Sequence, residues 1–320
     1  VSTIDPGPEI LEARKSLVGD GTEVRRLLPQ RVLRTIGAWC FLDHYGPDDV
    51  SPPGAGMQVG PHPHIGLQTA TWLFDGLVLH RDSLGTEQLI RPGQLNLMTS
   101  GRGIAHAEES PAPRSPLLHG VQLWIALPRD RQYAEPGFAH YADLPTVRLG
   151  DARVTVVVGE LGDARSPAVV HTPLVGLEVT LPADRSVTLA TRADFEYGVL
   201  SVDGPATVTV DGASGASGAP GASAASGAAA VEPGVMAHLR SGSSAITLSA
   251  AGLNRFFVIG GLPLGERLIM WWNFVARTAD EIAAARDSWM AGDGRFGEVH
   301  GYHGDPLPAP PLPAGLLIPR

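Results

Sequence analysis

Cysteine is nearly absent from this 320-residue chain: Cys40 stands alone, so no disulfide can close within it. That usage fits a reducing compartment, and Cys40 reads as a small buried hydrophobe in the run AWCFLDH. Charge is scarce too, at 18% of residues, with 24 basic against 33 acidic side chains and a net charge of −9. Such a balance lacks the clustered Lys and Arg of a broad nucleic-acid or anionic-membrane surface. Long apolar runs are missing: the richest stretch, Phe256 to Val275, is broken by Pro263, Glu266 and Arg267, so no membrane span fits. The opening VSTIDPGPEILEARKS has no basic-then-apolar layout of a signal peptide. No Gly-x-x period runs through the chain, and its 43% hydrophobic content is too high for a largely disordered one. The expectation is a soluble, cytoplasmic protein without a direct nucleic-acid or membrane partner.

What the chain has in excess is glycine and proline, 39 and 28 residues, together a fifth of the total. Both residues break helix and strand interiors, so many short strands joined by turns are expected rather than a helical bundle. Runs of that kind fill residues 20–128, among them Leu67 to Leu73, Leu77 to Arg81, Glu87 to Ile90 and Gly120 to Leu127. Turn pairs Asp75-Gly76, Leu84-Gly85 and Pro92-Gly93 punctuate them. A second block holds Val154 to Val158, Leu174 to Leu181, Glu196 to Val202, Ala206 to Val210, Ala237 to Leu239, Ala245 to Leu248 and Phe256 to Gly260. Two consecutive blocks predict an all-β protein of two β-sandwich or barrel domains, with a hinge region at 129–152. The segment 212–230, Gly, Ala and Ser apart from Pro220, has nothing to pack and is expected to be a flexible loop expanding a hairpin turn. One helix is predicted near the end, opened by a capping box at Thr278 and Glu281 and closed at Gly292. A Pro-rich tail, 301–320, follows as an extended strap.

Chemistry concentrates in the histidines. His62-Pro63-His64 and His106-Ala107-Glu108 each place two donor side chains two residues apart, hence on one face of a strand. Two such strands brought together in a barrel would gather three imidazoles and a carboxylate at one point. That set suits Fe, Mn, Co, Ni, Cu or Zn, with positions left open for catalysis. Gly101-Arg102-Gly103 ahead of His106 permits a close backbone approach or a bulge that re-aims the strand.

The segment GPHPHIGLQTATWLFDGLVLHRDSLGTEQLIRPGQLNLMTSGRGIAHAEES resembles the signature region of the pirin family, within the cupin superfamily. HGVQLWIALP and the ending MWWNFVARTADEIAAARDSWMAGDGRFGEV extend the likeness over most of the chain. The resemblance implies a bicupin: a metal-binding N-terminal cupin over 1–135 and a C-terminal cupin over 150–300. It implies one divalent transition metal, iron(II) favoured, held by His62, His64, His106 and Glu108. The second barrel is expected to lack metal, since His171 and His238 have no His-x-His or His-x-Glu partner. Some pirins are quercetin 2,3-dioxygenases, which makes a flavonol the implied substrate and Glu108 the catalytic base for its 3-hydroxyl. The alternative is a non-enzymatic, metal- or redox-responsive regulator that binds a transcriptional or metabolic partner. A monomer is expected in either case. The family string HPHRGFET is HPHIGLQT here, so Ile65, Leu67 and Gln68 replace Arg, Phe and Glu. Gln68 cannot carry charge, and near the ligands it would deprive the histidines of an anionic neighbour. His80 is expected to make internal hydrogen bonds rather than ligate, and Glu109 to be solvated on the opposite face of its strand.

Overall fold

A computed structural model describes residues 7–19, 21–212, 227–315 and 318–319. The described chain is mostly strand and forms two units, each a seven-stranded sheet with a four-stranded sheet. The first barrel comprises Lys15–Pro29, Cys40–Asp143 and Gly265–Arg320; the second comprises Val1–Arg14, Gln30–Trp39 and Leu144–Leu264. The units are therefore interleaved, unlike the consecutive division 1–135 and 150–300 read from chain order. Pairing across long sequence distances is the cause. Glu9–Leu11 bonds to Met236–Leu239 in the second barrel, while the helix and tail belong with the first.

In the first barrel the large sheet is centred on Leu67–Asp75 and Leu117–Ala126, paired over most of their length. The small sheet runs Gln58–His64, Ile104–Glu109, Val78–Asp82, Glu87–Ile90. Val24, Tyr45, Met57, Leu73, Val78 and Ile90 pack as one apolar cluster of this barrel. In the second barrel the small sheet runs Arg185–Ala190, Ser243–Ala250, Ala206–Gly212, Gly227–Val231, an equivalent order of antiparallel strands. Its core is an apolar cluster from both sheets that includes Val154, Leu177, Val187, Leu189, Ile246 and Leu248. Burying a side chain of this kind contributes about 1.5–3 kcal/mol.

Two local expectations are met in part. The loop expected at 212–230 lies outside the described residues over 213–226, but its C-terminal end is strand. Gly227–Val231 pairs with Ala206–Gly212, because a hairpin ladder satisfies backbone groups whatever the small side chains. The expected hinge at 129–152 contains two strands. Gly137–Tyr141 joins the first barrel's large sheet and Thr146–Leu149 the second's, with the change of unit between Asp143 and Leu144.

Ala279–Ala291 is the one α-helix among the described residues. Thr278 caps it through its side chain, Glu281 returns the capping-box bond, and Gly292 ends it in a left-handed conformation at φ 61°. Ile282 and Ala285 bury against Ile65, Ala105, Phe274 and Phe296. The described residues of the tail follow as a strap without regular structure. Leu307 N–H donates to the Pro61 carbonyl at 2.8 Å, and the Trp289 indole donates to the Leu307 carbonyl at 2.9 Å.

Candidate metal centre

The site lies on the first barrel's small sheet. His106 stands opposite His62, and Ile104 opposite His64, but the register shifts so that Glu108 faces Val59. One extra residue thus sits on the first strand at Gly60-Pro61, a bulge where proline has no ladder N–H to forfeit. The bulge turns the Gly60 carbonyl toward His62, whose Nδ1 donates to it at 2.8 Å. His62, His64, His106 and Glu108 are all buried.

His64 is held from farther along the chain. Its Nδ1 donates at 2.9 Å to the carbonyl of Asn273, in the turn between strands Ile269–Trp271 and Phe274–Ala276. Trp272 in that turn has φ 51°, uncommon for a bulky side chain. The hairpin is seated by Val275 N–H donating to the Ile65 carbonyl at 3.1 Å. Gly66 makes the approach feasible: it has φ 70°, and a Cβ there would lie 2.1 Å from the Val275 carbonyl oxygen. Trp124 sits edge-on to the His64 ring, with centroids 5.1 Å apart.

With Nδ1 atoms tied outward, the Nε2 atoms of His62 and His64 are left as lone-pair donors. His64 Nε2 lies 3.0 Å from His106 Nε2, and His106 Nδ1 lies 3.3 Å from His80 Nδ1. Donor atoms of His62, His64 and His106 fall within 4.8 Å of one another, and so do those of His80, His106 and Glu108. The four sequence-predicted donors therefore share one neighbourhood through His106, while Glu108 sits in the grouping with His80. Glu108 Oε1 also accepts from the Thr71 hydroxyl at 3.1 Å.

Burial governs the electrostatics. It pushes His62 down to about 4 against the opposing bond to Gly60. His64 and His106 are driven well below the ordinary imidazole value by burial and by repulsion from neighbouring rings. All three are neutral at pH 7, the form that offers a lone pair to a cation. Burial raises the Glu108 carboxyl, partly offset by His80 and the Thr71 hydroxyl.

His80 makes the expected internal bond, to Asp82 Oδ2 at 3.1 Å, and stacks on Phe138. It also belongs with the donor cluster, which the sequence reading did not anticipate. Glu109 is not solvated: it pairs with Arg81, which also holds Glu87 at 3.1 Å, and both partners of the Glu109 contact are largely covered. Gln68 is buried and donates to the Thr99 hydroxyl at 3.0 Å. Asn96 is buried, and its Oδ1 accepts from His140 Nδ1 at 2.7 Å. His238, isolated in sequence, is buried within 3.7 Å of both the Glu9 and Glu196 carboxylates. Cys40 is buried.

Thr71 and Asn273 were missed. Thr69 and Thr71 alternate with Ala70 and Trp72, a period-two polar face that marks the strand side carrying Thr71. Asn273 acts through its backbone carbonyl, for which no side-chain signal exists.

Residues 21–125 match the Pirin family model, and residues 176–297 match the Pirin C-terminal cupin domain. The chain belongs to the pirin family. A Pseudomonas aeruginosa relative, provisionally named a quercetin 2,3-dioxygenase, is 42% identical over 94% of this chain and 89% of its own length. A pirin-like protein of Caulobacter vibrioides is 33% identical over 94% of this chain and 98% of its own. The crystal structure of an Acinetobacter baumannii quercetin 2,3-dioxygenase superposes with a TM-score of 0.86 at 43% identity, covering 97% of each chain.

Proposed function

We propose that this pirin is a flavonol 2,3-dioxygenase whose first barrel holds one divalent metal through His62, His64, His106 and Glu108. The observation that carries the reading is the convergence of buried, neutral imidazoles whose outer nitrogens are tied away from the centre. Imidazole nitrogens gathered in a buried site fit a borderline first-row cation. Iron(II) is the ion proposed, on the strength of the family resemblance, because the donor types alone do not select among first-row metals. When bound, the ion supplies redox access to dioxygen and polarises the flavonol oxygen.

The chain's own residues do the rest. Glu108 takes the proton of the flavonol 3-hydroxyl, a task suited to a carboxyl whose basicity burial raises. The Thr71 hydroxyl holds the Glu108 carboxylate while it does so. His62, His64 and His106 fix the geometry, and Trp124 beside His64 keeps one wall apolar. Ring cleavage consumes dioxygen and releases carbon monoxide.

Oxygen uptake with quercetin by iron- or manganese-loaded protein tests the reading. Turnover is expected in the parent protein and its loss in Glu108→Ala with the fold intact by circular dichroism. Absence of turnover in fully loaded parent protein overturns the proposed activity.

A further inference from the structure

We propose that the second barrel is itself a binding module, whose cavity takes a small, uncharged, mainly apolar molecule presenting one hydrogen-bond acceptor to the Tyr197 hydroxyl. The site stands apart from the metal-site reading and uses none of its residues. The cavity measures about 650 Å3 and lies between the two sheets of this barrel, against Leu177 and Val258 of the large one and Leu189 and Ile246 of the small one. Sites that hold a drug-sized molecule span about 300–1,000 Å3 and are mostly apolar with a few polar groups. Leu189 opposes Ile246 as His64 opposes Ile104 in the first barrel, so the space sits at the place where that barrel carries a donor histidine. Residues 166–173, without regular structure, supply a further wall, in which Ala168 is buried and Val169 is 62% exposed.

The polar groups around the cavity decide what it takes. Arg192 is held by both oxygens of Asp194, at 3.0 and 2.7 Å, and lies over the Phe195 ring, while Arg165 pairs with Glu160 at 3.1 Å. An anion would have to draw an arginine from its own carboxylate, so charge on the ligand gains little. The described lining residues include no His or Cys, and Glu160 is their one acid, so a metal has no donor set here. Among the wall hydroxyls, Ser166 donates to the Val157 carbonyl at 2.8 Å and Thr191 to the Ser243 carbonyl at 2.7 Å, while the Thr172 oxygen is covered by protein. Tyr197 differs. It is buried and its oxygen accepts the Arg192 backbone N–H at 2.8 Å, but among the described residues nothing accepts its hydroxyl proton. Burial raises the phenol above its ordinary value, so that proton is in place at neutral pH. Both residues of this bond line the cavity, which leaves one unspent donor at the wall of an apolar space. A polyhydroxylated molecule such as a flavonol fits poorly, because its further hydroxyls would be buried without partners.

Fluorescence titration with prodan, an uncharged naphthyl ketone, tests the site, and displacement of prodan ranks other probes. One prodan per chain is expected, with blue-shifted emission, in metal-free and metal-loaded protein alike. Naphthalenesulfonate and quercetin should compete roughly tenfold more weakly than acetylnaphthalene, the ketone of the series. In Tyr197→Phe the affinity of acetylnaphthalene relative to ethylnaphthalene, which has the same rings and no acceptor, should fall about three- to tenfold. A merely structural role for Tyr197 would move both probes together. Val169→Trp, at an exposed position of the wall, should abolish prodan binding with circular dichroism and metal content unchanged. The proposal is overturned if prodan does not bind the parent, or if Val169→Trp binds it equally well. It is overturned too if the ratio of ketone to hydrocarbon affinity survives Tyr197→Phe, or if the sulfonate or quercetin competes as well as the ketone. None of these readouts needs turnover, so a failed flavonol assay leaves the test standing.

Discussion

The two barrels use an equivalent small-sheet topology for opposite interiors. In the first, the leading strands carry His62, His64, His106 and Glu108 inside, with His80 and Asp82 on the third. In the second, the corresponding strands carry Val187 and Leu189, Ile246 and Leu248, Val208 and Val210 in a single apolar core. The registers match in kind: His106 opposes His62 and Asp82, as Leu248 opposes Val187 and Val208. The topology therefore does not require polar residues at these places. Burying imidazoles costs free energy unless their hydrogen bonds are met, and in the first barrel the Gly60 carbonyl at the bulge, the Asn273 carbonyl and the Asp82 carboxylate meet them for His62, His64 and His80. A polar interior kept at that cost is the mark of a site.

The comparison can be broken from the first barrel's side by His106→Ala. Bound metal should fall more than 100-fold by chelator competition, with oxygen uptake on quercetin lost, while the thermal midpoint of the metal-free protein changes little. The reverse experiment, Leu248→Ala in the second barrel, should cost about 2–5 kcal/mol in denaturant unfolding and leave metal content unchanged. Acid sharpens the contrast. His62 sits at about 4 in the fold against 6.5 unfolded, so the unfolded chain binds more protons between those values. The stability of metal-free protein should therefore be full above pH 6.5 and decline as pH falls through that window to about 4. A midpoint of thermal unfolding that is flat over this range would show that the imidazoles are not buried as described. The corresponding positions of the second barrel, Val187, Leu189, Ile246 and Leu248, have no proton to take up. The smallest effect is expected from Gln68→Glu. It exchanges the donation to Thr99 for a buried negative charge on the strand face opposite Thr71 and should change cobalt(II) affinity less than tenfold, by the same competition assay.

Much of the fold was readable because its signals are local. Leu174 to Leu181 and Glu87 to Ile90 announce themselves by composition and by the turns around them, and both are strands over those same residues. The helix was legible from Thr278, Glu281 and Gly292 because capping chemistry is written within a single turn. His62, His64, His106 and Glu108 were nominated as donor pairs by spacing, since a period of two places side chains on one face wherever the strand lies, and as one ligand set by the pirin resemblance. What stayed hidden depends on partners distant in sequence. Glu9–Leu11 has no feature that assigns it to a strand more than two hundred residues away. The Asn273 carbonyl reaches His64 only because the Trp272 turn docks on Gly66. Glu109 was misread because alternation tells which face a side chain takes, not that Arg81 waits there.

The most direct test is a crystal of protein purified without chelator, with diffraction recorded at the absorption edge of the bound metal. The account requires a single anomalous peak within bonding distance of His62, His64 and His106 Nε2 and the Glu108 carboxylate, with none in the second barrel. A peak placed on His80 instead, or no peak in protein that assays as metal-loaded, would contradict it.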